Sequence, residues 1–124
     1  MVRLSSLNDA ARLGRKNAVI RPSSNLVLRF LEVMKKQAGF VENFQRHGGH
    51  TPGHITVEIT DKLKKCVLLS QRFDTKSRRI DAWARQILPA PEVGHLVITN
   101  FLGVMDHREA KKKNLGGRIL GYFY

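Results

Sequence analysis

Residues 93–99, Val-Gly-His-Leu-Val-Ile-Thr, constrain the fold more than any other segment. The run is β-rich and nearly all apolar. A strand with one wet face alternates apolar and polar side chains, so an unalternating run predicts a strand buried on both faces. Ile55-Thr56-Val57-Glu58-Ile59 shows the other pattern, strict alternation, and predicts a half-buried strand. Helical spacing occurs as well. Leu26, Val27, Phe30, Leu31 and Met34 form one apolar stripe, with Gly39 as its end and Lys35 and Lys36 in the last turn, where the macrodipole favours cations.

Shorter elements fill the intervals. Leu4, Leu7, Ala10 and Ala11 predict a helix stopped near Gly14, and Asn17–Ile20 a short strand. Pro22-Ser23-Ser24 breaks the chain and offers hydroxyl caps. Phe40–Phe44 is expected to pair with the strand at 55–59 across the glycine- and histidine-rich turn 47–54. After a basic connection at 61–66, Val67–Leu69 predicts a short strand and 72–79 a polar, basic stretch. Ile80, Trp83, Ala84 and Ile87 predict a helix running up to Pro89. Asp106 with Glu109 has capping-box spacing for a helix ending in Lys111-Lys112-Lys113-Asn114, which places His107 on a solvated first turn. Gly116-Gly117 turns the chain into a last strand, 118–124. The expected class is α+β. Two small α/β lobes pack together: helix-strand-helix-hairpin at 1–61, and a β-rich lobe with short helices at 62–124.

Charge narrows the partner. The 22 Lys and Arg against 10 Asp and Glu give +12. Residues 1–61 contribute nine basic and five acidic groups (+4), and 62–124 thirteen and five (+8). A folded chain so charged repels itself and calls for a polyanion, most strongly at its second half. No apolar run approaches the ~20 residues of a membrane span. The single cysteine, Cys66, excludes an internal disulfide and fits a reducing compartment, and the cytoplasm is expected.

Catalytic and metal-binding patterns are weak. His47, His50 and His54 have suggestive spacing, but a structural zinc site wants four ligands, usually with cysteines, and only Cys66 is near. Cys66 beside Val67 and Leu68 reads as a small buried hydrophobe. No carboxylate pair, phosphate loop or nucleophile elbow appears, so neither an enzyme nor a cofactor is expected.

Thr99-Asn100-Phe101-Leu102-Gly103-Val104-Met105 is the most informative interval, expected as a loop between the buried strand and the capped helix. Thr and Asn can bond base edges, sugars or phosphates. Phe101 either stacks on an unpaired base or plugs the core, and the sequence leaves both readings open. Lys111, Lys112 and Lys113 serve both as a dipole-compatible helix end and as phosphate contacts.

These residues resemble the small-subunit ribosomal protein eight family in its eukaryotic and archaeal form, from Met1 to Tyr124. The likeness is carried by Ile20-Arg21-Pro22, Phe30-Leu31-Glu32-Val33-Met34, Leu63-Lys64-Lys65-Cys66, Ser70-Gln71-Arg72-Phe73-Asp74, Trp83 and Leu88-Pro89. Gly103-Val104-Met105-Asp106-His107-Arg108-Glu109-Ala110 and Gly116-Gly117-Arg118-Ile119-Leu120-Gly121-Tyr122-Phe123-Tyr124 are its most specific parts. The resemblance implies a non-enzymatic protein that binds and orders the central domain of small-subunit ribosomal RNA beside neighbouring small-subunit proteins. It implies no membrane and no small-molecule substrate. RNA contacts are then expected from Arg21, Ser23, Ser24, Arg72, Thr99, Asn100, Phe101, Gly103, Val104, Met105, Lys111, Lys112, Gly116, Gly117 and Arg118. The alternative within this reading is a translational regulator acting on messenger RNA. Three departures stand out. Phe101 lies where the family carries a hydroxyl, Asn25 where it often carries lysine, and the interval Leu13–Lys16 is shorter than the family's.

Overall fold

The alternating segment is the middle strand of a three-stranded sheet in a computed structural model of the protein. The structure describes residues 5–21, 25–48, 53–90 and 92–124, without the side chains of Ser5, Gln37, Ala38, Ser70, Gln71 and Arg72. Pro22, Ser23, Ser24 and His50 therefore lie outside the described residues. The chain divides into two compact units, Met1–Cys66 and Val67–Tyr124.

The first unit holds α1 (Ser5–Arg12), β1 (Asn17–Ile20), α2 (Asn25–Ala38), β2 (Val41–His47) and β3 (His54–Ile59). The sheet order is β1-β3-β2, with β3 antiparallel to both neighbours. Register follows the hydrophobic pattern. Ile20 pairs with Ile55 and Ala18 with Val57, which puts apolar side chains on one face, where all four are buried. Leu7 from α1 and Phe30, Leu31 and Met34 from α2 are fully buried as well. At the end of α2 the Phe40 amide closes back on the Met34 carbonyl at 3.2 Å.

One polar clamp completes this unit. Asn8 on α1 donates from Nδ2 to the Cys66 carbonyl and accepts from the Cys66 amide, both at 2.8 Å. The side-chain amide thus replaces a strand neighbour for Cys66, satisfying both backbone groups. Asn8→Ala leaves a backbone donor and an acceptor unpaired, and a loss of about 1–3 kcal/mol is expected, read from urea unfolding. A change within error would assign those groups to solvent. Cys66 itself is fully buried, and burial pushes its thiol up to about 12, which matches the small-hydrophobe reading.

The second unit holds the rest of β4 (Cys66–Thr75), a 3-10 turn (Ser77–Arg79), α3 (Ile80–Ile87), β5 (His95–Asn100), β6 (Gly103–Asp106), α4 (His107–Lys112) and β7 (Gly117–Phe123). Its sheet runs β4-β7-β5-β6, with β5 antiparallel to β6 and β7. Four consecutive β5 residues, His95 to Ile98, are buried, as the unalternating run requires. Leu96 and Ile98 join Ile80, Ala84, Met105 and Ile119 in one core, with Leu69, Phe73 and Trp83 packed at its margin.

Boundaries differ from expectation at three strands. The strand expected at 40–44 runs from Val41 to His47, where His47 pairs with His54. The strand expected at 67–69 extends to Thr75, because Leu69 and Phe73 share one face at even spacing while Asp74 points to solvent. The strand expected from Val93 begins at His95. Val93 is exposed in a turn closed by the Val93 and Gly94 amides on the Ala90 carbonyl.

Candidate nucleic-acid interface

Thr99–Met105 is not a loop but a β-hairpin. Thr99 pairs with Val104 and Asn100 with Gly103, leaving only Phe101 and Leu102 in the turn. The backbone explains how two bulky apolar residues occupy it. Tight hairpins usually need a positive φ, and here it falls on Gly103 (φ 125°), just after the turn. Among the described residues Asn114 is the one non-glycine with a positive φ, so Phe101 and Leu102 carry no such strain. Phe101 is 82% exposed and Leu102 54%, which removes the core-plug reading of the ring.

Asn100 sets the tip. Its Oδ1 accepts from the Leu102 amide at 2.9 Å, and its Nδ2 donates to the Gly116 carbonyl at 3.2 Å. The side chain expected to contact RNA is therefore engaged in holding the turn and tying it to the chain entering β7. Met105 is buried in the core, Val104 half-buried beside it, and Thr99 half-buried at the strand end. Phe101 and Leu102 are what this hairpin presents outward.

Gly116 and Gly117 stand where they do because two strands crowd them. A Cβ on Gly116 would lie 2.2 Å from the Thr75 carbonyl oxygen, and one on Gly117 2.4 Å from that of Thr99. The pair wedges the β7 entry between the ends of β4 and β5. Arg118 follows, opposite Thr99 across the sheet, and its exposed guanidinium lies 3.2 Å from the Asp74 carboxylate. Ser77 Oγ donates to Asn114 Oδ1 at 2.9 Å. These ties span 44 and 37 residues, and no local sequence pattern points to them.

The lysines divide. Lys111 bonds Asp81, whose carboxyl that bond holds below its usual range, and Lys113 pairs with Glu109 at 3.1 Å. Lys112 is exposed and makes no ion pair among the described residues. Exposed pairs of this kind contribute about 0–1 kcal/mol, so phosphate can displace the carboxylates at small cost. Arg21 is exposed at the end of β1, in the other unit, and Arg72 lies on β4.

The expected cap at Asp106 is absent. Asp106 occupies the N-cap position of α4 but makes no side-chain cap bond, and both it and His107 are buried. Its Oδ1 lies 3.1 Å from His107 Nδ1 and 3.3 Å from His95 Nδ1. Arg108 Nη1 donates to His95 Nδ1 at 2.7 Å, and the Leu96 amide donates to His107 Nδ1 at 3.0 Å. Nδ1 of each imidazole thus faces both a donor and the Asp106 carboxylate. Burial alone would raise the Asp106 carboxyl, but the bonds from His107 and His95 and their charges outweigh it and hold it well below the carboxylate range. Capping-box spacing misleads here because the partners, His95 and Leu96, come from another strand.

In the first unit, His47 and His54 pair across β2 and β3 with rings stacked at 4.9 Å, and His47 Nε2 lies 3.1 Å from Thr56 Oγ1. Among the described residues no group of three His, Cys, Asp or Glu is placed to hold a metal ion.

Residues 3–124 match the family described as ribosomal protein S8. The chain belongs to the ribosomal protein S8 family. It is 38% identical over 121 residues to small ribosomal subunit protein uS8 of Eremothecium gossypii, covering 98% of this chain and 92% of that one. Small ribosomal subunit protein uS8A of Schizosaccharomyces pombe is 40% identical and uS8 of Neurospora crassa 36%, each over the same shares. The S8 likeness thus runs through both units, and it takes in the hairpin tip and the glycine pair described above.

Proposed function

We propose that this protein is a structural, non-enzymatic constituent of the small ribosomal subunit that binds and orders the central domain of small-subunit ribosomal RNA. Its contact surface is the β5–β6 tip with the Gly116–Gly117 turn. The observation that carries the reading is the exposed Phe101–Leu102 turn, held rigid by Asn100 and flanked by Arg118, in the half of the chain with the larger positive charge. An apolar tip beside cations suits RNA, where unpaired bases stack on rings while phosphates meet Arg and Lys. Residues 62–124 act as the main RNA-binding lobe. Arg21, Ser23 and Ser24 in 1–61 supply a further contact, and neighbouring small-subunit proteins complete the surroundings. The working compartment is the cytoplasm.

Affinity for a central-domain RNA fragment is expected to fall steeply with salt, because each phosphate neutralised by Lys or Arg releases counterions. Replacing Lys112 and Arg118 with glutamine is expected to reduce the log–log slope by about one unit per residue, measured by filter binding. A flat salt dependence in the unaltered protein would sink the proposal.

A further inference from the structure

A second cluster lies beyond the hairpin tip. Lys76, Arg78, Arg79 and Trp83, with Asp74 and Thr75, line a cleft of about 450 Å³ where β4 runs through the 3-10 turn into α3. That volume falls within the roughly 300–1,000 Å³ of small-ligand sites. We infer that this cleft is a second RNA contact that takes an unpaired nucleotide, with its base on the Trp83 indole and its phosphate between Arg78 and Arg79. The inference rests on the RNA-binding reading above and adds a separate site to it.

The charges supply the first argument. Lys76, Arg78 and Arg79 are exposed, and none of them makes an ion pair among the described residues. Elsewhere in this unit Lys111, Lys113 and Arg118 face carboxylates. Lys112 and Arg85 stand exposed without an ion pair among the described residues, but are not grouped beside an aromatic ring as these three are. The three cations also sit at and before the first turn leading into α3, where the helix macrodipole disfavours positive charge. The acid of that turn, Asp81, is turned to Lys111 instead. Asp74 is taken by Arg118. The arrangement is locally unfavourable until an anion enters.

The indole supplies the second. Trp83 is half-buried, packed against Phe73 at a centroid distance of 4.5 Å and lining the cleft. Its indole N–H has no hydrogen-bond partner among the described residues. A phosphate or an acidic peptide needs only the cations. A nucleotide uses the ring as well, since every base has a face to stack. Continuity with the hairpin tip is the third argument. Thr75 and Lys76 form the wall against which Gly116 packs, and Gly116 is the residue that Asn100 holds. Tip and cleft thus adjoin through Gly116.

Trp83 is the single tryptophan of the chain, so its emission reports on the cleft alone. The full chain is titrated with a short single-stranded oligoadenylate, with an abasic ribose-phosphate oligomer of the same length, and with polyglutamate. Oligoadenylate is expected to quench the emission saturably. The abasic oligomer is expected to bind about tenfold more weakly and to leave the emission unchanged. The double variant Arg78→Gln/Arg79→Gln is expected to weaken quenching about tenfold with a melting temperature that does not fall, as both side chains are exposed and the helix start disfavours their charge. Oligoadenylate binding without quenching would overturn the inference. Polyglutamate competing as well as oligoadenylate would do the same and assign the cleft to an acidic protein. If the central-domain fragment binds with a steep salt slope while the emission is silent, the cleft fails and the ribosomal reading stands. If the fragment does not bind at all, the ribosomal reading fails as well.

Discussion

Asp106→Ala is expected to lower the stability of the protein by about 3–5 kcal/mol, the cost of removing one member of a buried charged pair. The carboxylate is 1% exposed at the junction of β6 and α4, within reach of two imidazoles that are themselves buried. Its removal takes away the carboxylate that Nδ1 of His95 and Nδ1 of His107 both face, beside the Arg108 guanidinium. The isosteric Asp106→Asn separates charge from packing through pH. The folded carboxyl lies below its unfolded value of about 3.9, so its contribution is complete above that value and disappears as pH falls towards the folded one. In urea unfolding across a pH series, the gap between wild type and Asp106→Asn is expected to be widest above about pH 5 and to narrow progressively as pH falls below about 4. A gap of constant size down to low pH would show that packing, not the charge, is lost.

Asp106 also marks where sequence reasoning reaches its limit. Periodic features were legible. The stripe at Val27, Phe30, Leu31 and Met34 lies buried along α2, the alternation at Ile55, Val57 and Ile59 sets the register of the first sheet, and the unalternating run becomes the buried strand β5. Each is a local pattern with one structural solution. The α+β class and the ribosomal family were legible for the same reason, since the motifs are contiguous.

Asp106 and Glu109 have capping-box spacing without forming the cap, because that spacing is only a local pattern. The decisive partners of Asp106 and His107, His95 Nδ1 and the Leu96 amide, are eleven residues away on another strand. β4 was underestimated because only Leu69 and Phe73 show its buried face, while the intervening residues are those of a polar edge. An amide side chain such as that of Asn100 suits a base edge, and its Gly116 partner inside the fold has no local signature. The Gly116 carbonyl that occupies it becomes a neighbour only when β7 docks beside β5. The candidate segment is thus legible in the sequence, but not which of its side chains hold the turn and which stand exposed.

Phe101 carries the sharpest consequence of that division. Phe101→Ala is expected to weaken binding of the central-domain fragment by about 1–3 kcal/mol, the usual worth of one stacked base. Because the ring is 82% exposed, the same change is expected to alter stability by less than about 0.5 kcal/mol. A core phenylalanine would behave oppositely, with a cost to stability of about 3–5 kcal/mol. Phe101→Leu refines the test. Leucine keeps apolar bulk at the tip but has no ring face, so stacking predicts a loss close to that of alanine, whereas burial of apolar area predicts near-wild-type affinity. Phe101→Tyr retains the face and is expected to bind like wild type. Binding by fluorescence anisotropy and melting by differential scanning calorimetry, on the same four proteins, separate the two quantities. Asn100→Ala then tests the scaffold beneath the ring. With the Leu102 amide and Gly116 carbonyl released, the tip loses its fixed direction, and affinity is expected to fall although the phenyl group is unchanged. Were Asn100→Ala to bind as tightly as wild type while Phe101→Ala did not, the ring would act without the rigidity that its neighbour provides.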